Sequence, residues 1–203
     1  MIKHSTAALA AMTAAFGIAA AQDMGGVKLG VHLGGNFIIS DTTEVVTPGE
    51  PTVDRDFDFD GGVAIGATAS VAVAESLAIE AEYTFRNNEF AEGPADDDFN
   101  TSAFMVNALI PMEVDTSTTG YIGAGVGYLM KHDSDRSVAL IDDLDGTFAW
   151  QIKGGFDYAL EGGRTLGFGL TYLTAEFEDD AAPSESTYEI GSLMGTISLK
   201  FGG

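Results

Sequence analysis

The stretch Tyr121-Ile122-Gly123-Ala124-Gly125-Val126-Gly127-Tyr128-Leu129-Met130-Lys131 decides the fold. Its even positions, Ile122, Ala124, Val126, Tyr128 and Met130, are apolar, while its odd positions run Tyr121, Gly123, Gly125, Gly127, Leu129 and Lys131. A period of two belongs to a strand and not to a helix. One face is greasy and the other is mostly bare backbone. The alternating glycines superficially suggest a nucleotide loop, but that fingerprint needs a helix straight after them. Here Tyr128-Leu129-Met130 continues the strand, so the nucleotide reading fails.

The same alternation spreads outward in both directions. Before the glycine strand lie Val27 to Ser40, Phe57 to Ala74, Leu77 to Arg86 and Thr101 to Met112; after it come Gly146 to Leu160, Thr165 to Phe177 and Tyr188 to Phe201. Between them, long acidic stretches (41–56, 87–100, 132–145 and 178–187) alternate with short turns at 75–76, 113–119 and 161–164. An even number of strands with every long connection at one end is the pattern of a transmembrane barrel. The predicted fold is all-β: an eight-stranded antiparallel up-and-down transmembrane β-barrel over residues 22–203.

Residues 1–21 predict a cleaved signal peptide. Lys3 and His4 supply a positive start, Ala7 to Ala20 an apolar run, and Ala19-Ala20-Ala21 a small-residue cleavage site. The chain carries 31 acidic against 9 basic residues, a formal net charge of -22, which argues against a nucleic-acid partner. Cysteine is absent, so within this chain no disulfide or thiolate metal site forms. Nothing in the sequence calls for a cofactor.

Alternation alone does not say which face is outside, because a soluble lipocalin-type barrel alternates with the opposite polarity. Three features favour lipid outside. The apolar face carries its aromatics near strand ends, as Phe37, Phe104, Tyr128, Phe148, Trp150 and Tyr172 at one end and Tyr158, Phe168 and Phe201 at the other. The polar face is rich in Gly, Ser and Thr, which suits a narrow lumen. On that face also fall Lys28, His32, Glu80, Glu82, Arg86, Asn107, Gln151, Lys153, Asp157 and Lys200. Such a mixture predicts a charge-balanced network plugging the lumen, since an unpaired buried ion is costly. The alternative is a water-filled, porin-like channel for polar solutes.

With these features in hand, the chain resembles the small eight-stranded outer-membrane β-barrel family, the opacity-type porin-like proteins and the OmpA transmembrane domain. The resemblance rests on the glycine strand Gly123 to Gly127, the signal peptide, and the closing Gly195-Thr196-Ile197-Ser198-Leu199-Lys200-Phe201. It implies a bacterial outer-membrane location, outer-membrane lipids as surroundings, and recognition by the barrel assembly machinery through Ile197, Leu199 and Phe201. Here Gly202-Gly203 follow the aromatic on which that sorting signal usually ends.

Two kinds of chemistry remain. The loop carboxylates Asp96, Asp97, Asp98, Asp142, Asp143 and Asp145 are candidate ligands for divalent cations such as Ca²⁺ or Mg²⁺, although none has full EF-hand spacing. A lipid A-modifying enzyme would need a Ser–His pair, for which His132 with Ser134 and Asp133 or Asp135 is the nearest set. Adjacent loop residues seldom make a triad. The expectation is no catalytic residue and a structural or surface-interaction role.

Overall fold

The structure, a computed structural model, describes residues 26–46, 53–55, 61–89, 98–132, 146–179 and 185–202. It contains nine strands: β1 Val27–Val46, β2 Val53–Arg55, β3 Gly62–Ala74, β4 Leu77–Glu89, β5 Asp98–Glu113, β6 Thr118–His132, β7 Thr147–Leu160, β8 Arg164–Asp179 and β9 Glu185–Phe201. Eight of them pair antiparallel in sequence order, and β1 pairs with β9 to close the ring. The ninth, β2, is a three-residue appendage on the rim, where Val53 to Arg55 pair with Thr43 to Val45. Among the described residues there is no helix, and the predicted signal peptide lies outside them.

The register fixes the geometry of the ring. Following paired residues from Lys28 through Ser70, Glu80, Asn107, Gly125, Gln151, Leu173 and Ser192 returns to β1 at Ile38, ten residues further on. A stagger of ten in eight strands, with ~3.4 Å per residue and ~4.8 Å between strands, tilts each strand by about 40°. Eight strands at that tilt leave an interior just wide enough for side chains.

The two faces separate as the period of two requires. Phe104, Val106, Ile110, Ile122, Val126, Tyr128, Phe148, Trp150 and Ile152 point outward and are exposed, whereas Met105, Asn107, Leu109 and Gln151 point inward and are buried. An exposed apolar belt of that size marks a lipid-facing surface. Trp150 and Tyr172 pack edge to face within the belt, 6.1 Å apart.

Several strands run further than the sequence pattern indicates. β1 continues six residues past Ser40 into the expected loop, β4 reaches Glu89, β5 begins at Asp98, β8 reaches Asp179 and β9 begins at Glu185. The reason is that alternation records contact with lipid, whereas a ladder needs only a backbone partner. Thr42 to Val46 pair with Glu189 to Glu185 although the stretch is polar. Residues 57–60, the expected start of the second strand, lie outside the described residues.

The short turns are built by specific chemistry. Gly162 and Gly163 take φ of 76° and 69° in succession, a left-handed pair that only glycine adopts without strain. Between β5 and β6, Asp115 Oδ1 accepts from the Ser117 and Thr118 amides, each at 2.8 Å. These bonds, led by the Ser117 amide, hold the Asp115 carboxyl below its ordinary pKa. A carboxylate with a depressed folded pKa stabilises the turn above its unfolded pKa and loses that contribution as pH falls through the folded value. The Ser117 and Thr118 amide resonances therefore titrate together with a midpoint below the ordinary carboxylate value. A midpoint at that value would contradict the assignment.

Candidate functional site

The only concentration of chemistry-bearing side chains among the described residues is the lumen. Its centre is Lys153 on β7, whose Nζ donates to Glu80 Oε1 at 2.7 Å and Glu82 Oε2 at 2.6 Å. Glu80 and Glu82 are two apart on β4, so both project inward. Asn107 on β5 donates to Glu80 Oε1 at 3.2 Å and to Glu82 Oε2 at 3.0 Å. Gln151 on β7 donates to Glu82 Oε2 at 3.1 Å and to Asn107 Oδ1 at 2.7 Å. These are charge-assisted bonds between largely buried groups, the strong kind.

The network reaches β1 through Thr84. Its Oγ1 donates its single proton to Glu82 Oε1 at 3.0 Å. His32 Nε2 lies 3.0 Å from Thr84 Oγ1, and with the hydroxyl proton already given to Glu82 the Nε2–H tautomer of His32 donates in that contact. Further toward the loop end, Asn36 Nδ2 donates to Asn88 Oδ1 at 2.7 Å. Arg86 is buried at 2 % exposure, and among the described residues its Nε and Nη1 have no hydrogen-bond partner. Counted by charge, Glu80 and Glu82 are matched by Lys153 and Arg86.

Asp157 and Lys200 form a second group near the turn end. Lys200 Nζ donates to both carboxylate oxygens at 2.8 and 2.7 Å and stands 5.0 Å from the centre of the Tyr121 ring. Among the described residues no side-chain hydrogen bond joins this pair to the Lys153 group. Lys28, near the start of β1, is exposed, and among the described residues no side-chain hydrogen bond ties it to either group. The sequence-level set thus divides into a central group with His32, Glu80, Glu82, Asn107, Gln151 and Lys153, a turn-end pair, a separate Arg86, and an excluded Lys28.

The glycine row proves to be filled from its own neighbour strand. A Cβ on Gly125 would fall on Asn107 Oδ1, one on Gly127 would meet Met105 Sδ at 2.7 Å, and one on Gly123 would meet Leu109 Cδ2 at 2.5 Å. Bare backbone on β6 lets three β5 side chains lean across it.

The lumen is also less polar than the sequence suggests. Ala103, Met105, Leu129, Ala149, Leu173 and Ala175 form a buried apolar cluster inside the ring. Tyr121, Thr84, Asn36, Asn88 and these apolar residues escape a search for charged side chains, though all sit on the inward register.

Among the described residues no three His, Asp or Glu converge as a metal site. Asp96, Asp97, Asp142, Asp143 and Asp145 lie outside them, and Asp98 is a β5 residue paired with Glu89. Ile197, Leu199 and Phe201 lie on β9, with Phe201 paired to both Leu29 and Arg164 at the barrel seam.

The family model for the outer membrane protein β-barrel domain matches residues 6–201. The chain belongs to this family. Membership places this outer membrane protein β-barrel domain in the bacterial outer membrane. The barrel is similar in fold to Neisserial surface protein A at 12 % identity and a TM-score of 0.58, covering 88 % of this chain and 97 % of that one. It is also similar to OprG from Pseudomonas aeruginosa (15 % identity, TM-score 0.56, 88 % and 97 % covered) and to the outer membrane protein AlkL (12 %, 0.57, 87 % and 90 %). Among curated protein sequences no match is found.

Proposed function

We propose that this chain is a closed, non-conducting outer-membrane barrel with a structural and surface-interaction role. The observation that carries the reading is the Lys153–Glu80–Glu82–Asn107–Gln151 group, which ties β4, β5 and β7 together across a lumen too narrow for bulk water. Short turns face the periplasm and the acidic loops face outward. There the loops meet divalent cations, envelope lipids or external partners. The assembly machinery reads Ile197, Leu199 and Phe201 on the closing strand.

The test is planar-bilayer recording on the purified, heat-modifiable protein. The expected result is silence at moderate voltage. A steady, reproducible unitary conductance would overturn the closed reading in favour of a small pore for polar solutes. We propose no catalytic role: the lumen carboxylates are all engaged in ion pairs or hydrogen bonds, which leaves none poised as a free base. Lipid A hydrolysis by the purified protein that disappears in His132→Ala would reverse that.

A further inference from the structure

In the eight barrel strands the register turns the described cations Lys28, Arg86, Lys153 and Lys200 toward the lumen side. Arg164 is the exception. As the first residue of β8 it lies opposite Leu160 on β7 and Phe201 on β9. Both neighbours belong to the outer face, because Leu160 is exposed there and Phe201 keeps step with exposed Ile197. Residues directly opposite in a ladder share a face, so Arg164 stands on the outer one, and it is exposed. Its surroundings are those of a membrane boundary. The next outward pair along the two strands is Tyr158 with Leu166, then Phe156 with Phe168, and aromatics beside a cation mark the headgroup level. On its other side the turn leaves open space, since a Cβ at Gly162 or Gly163 would meet nothing within 4 Å. Among the described residues no ion pair or side-chain hydrogen bond engages Arg164, and Glu161 in the same turn is not its partner.

We propose that Arg164 holds the phosphate of a phospholipid headgroup at the turn-side boundary of the bilayer. A guanidinium offers parallel N–H donors that match two phosphate oxygens. From the same point Leu166 beside Leu199 and Phe168 beside Ile197 run into the apolar belt, an apolar track for the acyl chains below the phosphate. Charge favours this sector for an anion. The chain carries a formal charge of -22, and the turns after β3 and β5 hold Glu75 and Asp115. The contact depends on the lipid-facing outer surface and not on whether the lumen conducts or which way the turns point.

Native mass spectrometry of the folded, heat-modifiable protein, titrated with phosphatidylglycerol in detergent, reads the contact. Arg164→Gln weakens the first lipid-binding step about five-fold, equivalent to the ~1 kcal/mol that one basic residue contributes at an anionic lipid surface. Lys28→Gln removes an exposed cation at the same end of the barrel but on the inward register, and it leaves that step unchanged. Dioleoylglycerol, which has the chains without the phosphate, binds wild type and Arg164→Gln alike. Equal affinity of wild type and Arg164→Gln for phosphatidylglycerol overturns the proposal. So does an equal loss in Lys28→Gln, which would mean diffuse attraction to positive charge, and so does a parallel loss for dioleoylglycerol, which would place the contact at the chains.

Discussion

Gly125→Leu abolishes the compact, heat-modifiable form of the barrel, whereas Val126→Leu leaves it intact. A Cβ at position 125 would coincide with Asn107 Oδ1 and come within 2.9 Å of the Val106 carbonyl oxygen, which is backbone and cannot yield. The leucine displaces the Asn107 amide and with it the bonds to Glu80, Glu82 and Gln151. Overpacking alone costs about 1–3 kcal/mol. Each lost bond to a charged group adds about 1.5–3 kcal/mol. Against a typical stability of about 5–15 kcal/mol that is decisive. Val126 is 53 % exposed on the outer face, where one more methylene meets only lipid. Equal migration of the two variants would mean that the face assignment is wrong.

The second large effect is at Lys153. Lys153→Met keeps an unbranched side chain one atom shorter and removes its charge, which leaves Glu80 and Glu82 buried beside one another without the cation that contacts both. Removing one partner of a buried ion pair costs about 3–5 kcal/mol, because the remaining charge is stranded. The midpoint of urea unfolding in lipid vesicles should fall accordingly. Adding Glu82→Gln to Lys153→Met should recover a good part of the loss, since the second change removes one of the two stranded charges and the repulsion between them. A Lys153→Met penalty below about 1 kcal/mol, the range of exposed ion pairs, would show that the network is solvated.

Much of the fold was legible because a strand's period of two is insensitive to detail. The register of Tyr121 to Lys131 sorts Ile122 and Val126 outward and Gly123 and Gly125 inward whatever their neighbours are. The strand ends were not legible, since Thr42 to Val46 extend a ladder that needs no apolar side chain. In the lumen, the charged residues announced themselves, but their partners did not. The strand directions put Asp157 and Lys200 lower than Lys153, but that Lys200 pairs with Asp157, while Glu80 joins the Lys153 group, shows only in the register of the ring. The same register gathers Met105, Leu129 and Leu173 from three strands into one buried cluster. Each looked like an isolated exception on a polar face.

The seam between β1 and β9 has a kinetic consequence. Leu29 pairs with Phe201, joining the start of the barrel to its end, and this contact spans nearly the whole barrel. Loop-closure entropy must be overcome before so distant a pairing gains anything, and chains dominated by non-local pairing fold slowly. Until β9 arrives, β1 presents a bare edge of unpaired amides and carbonyls, a template for another chain. The ring therefore cannot complete itself during synthesis. The β1 edge stays open for the whole interval between the first strand and the last.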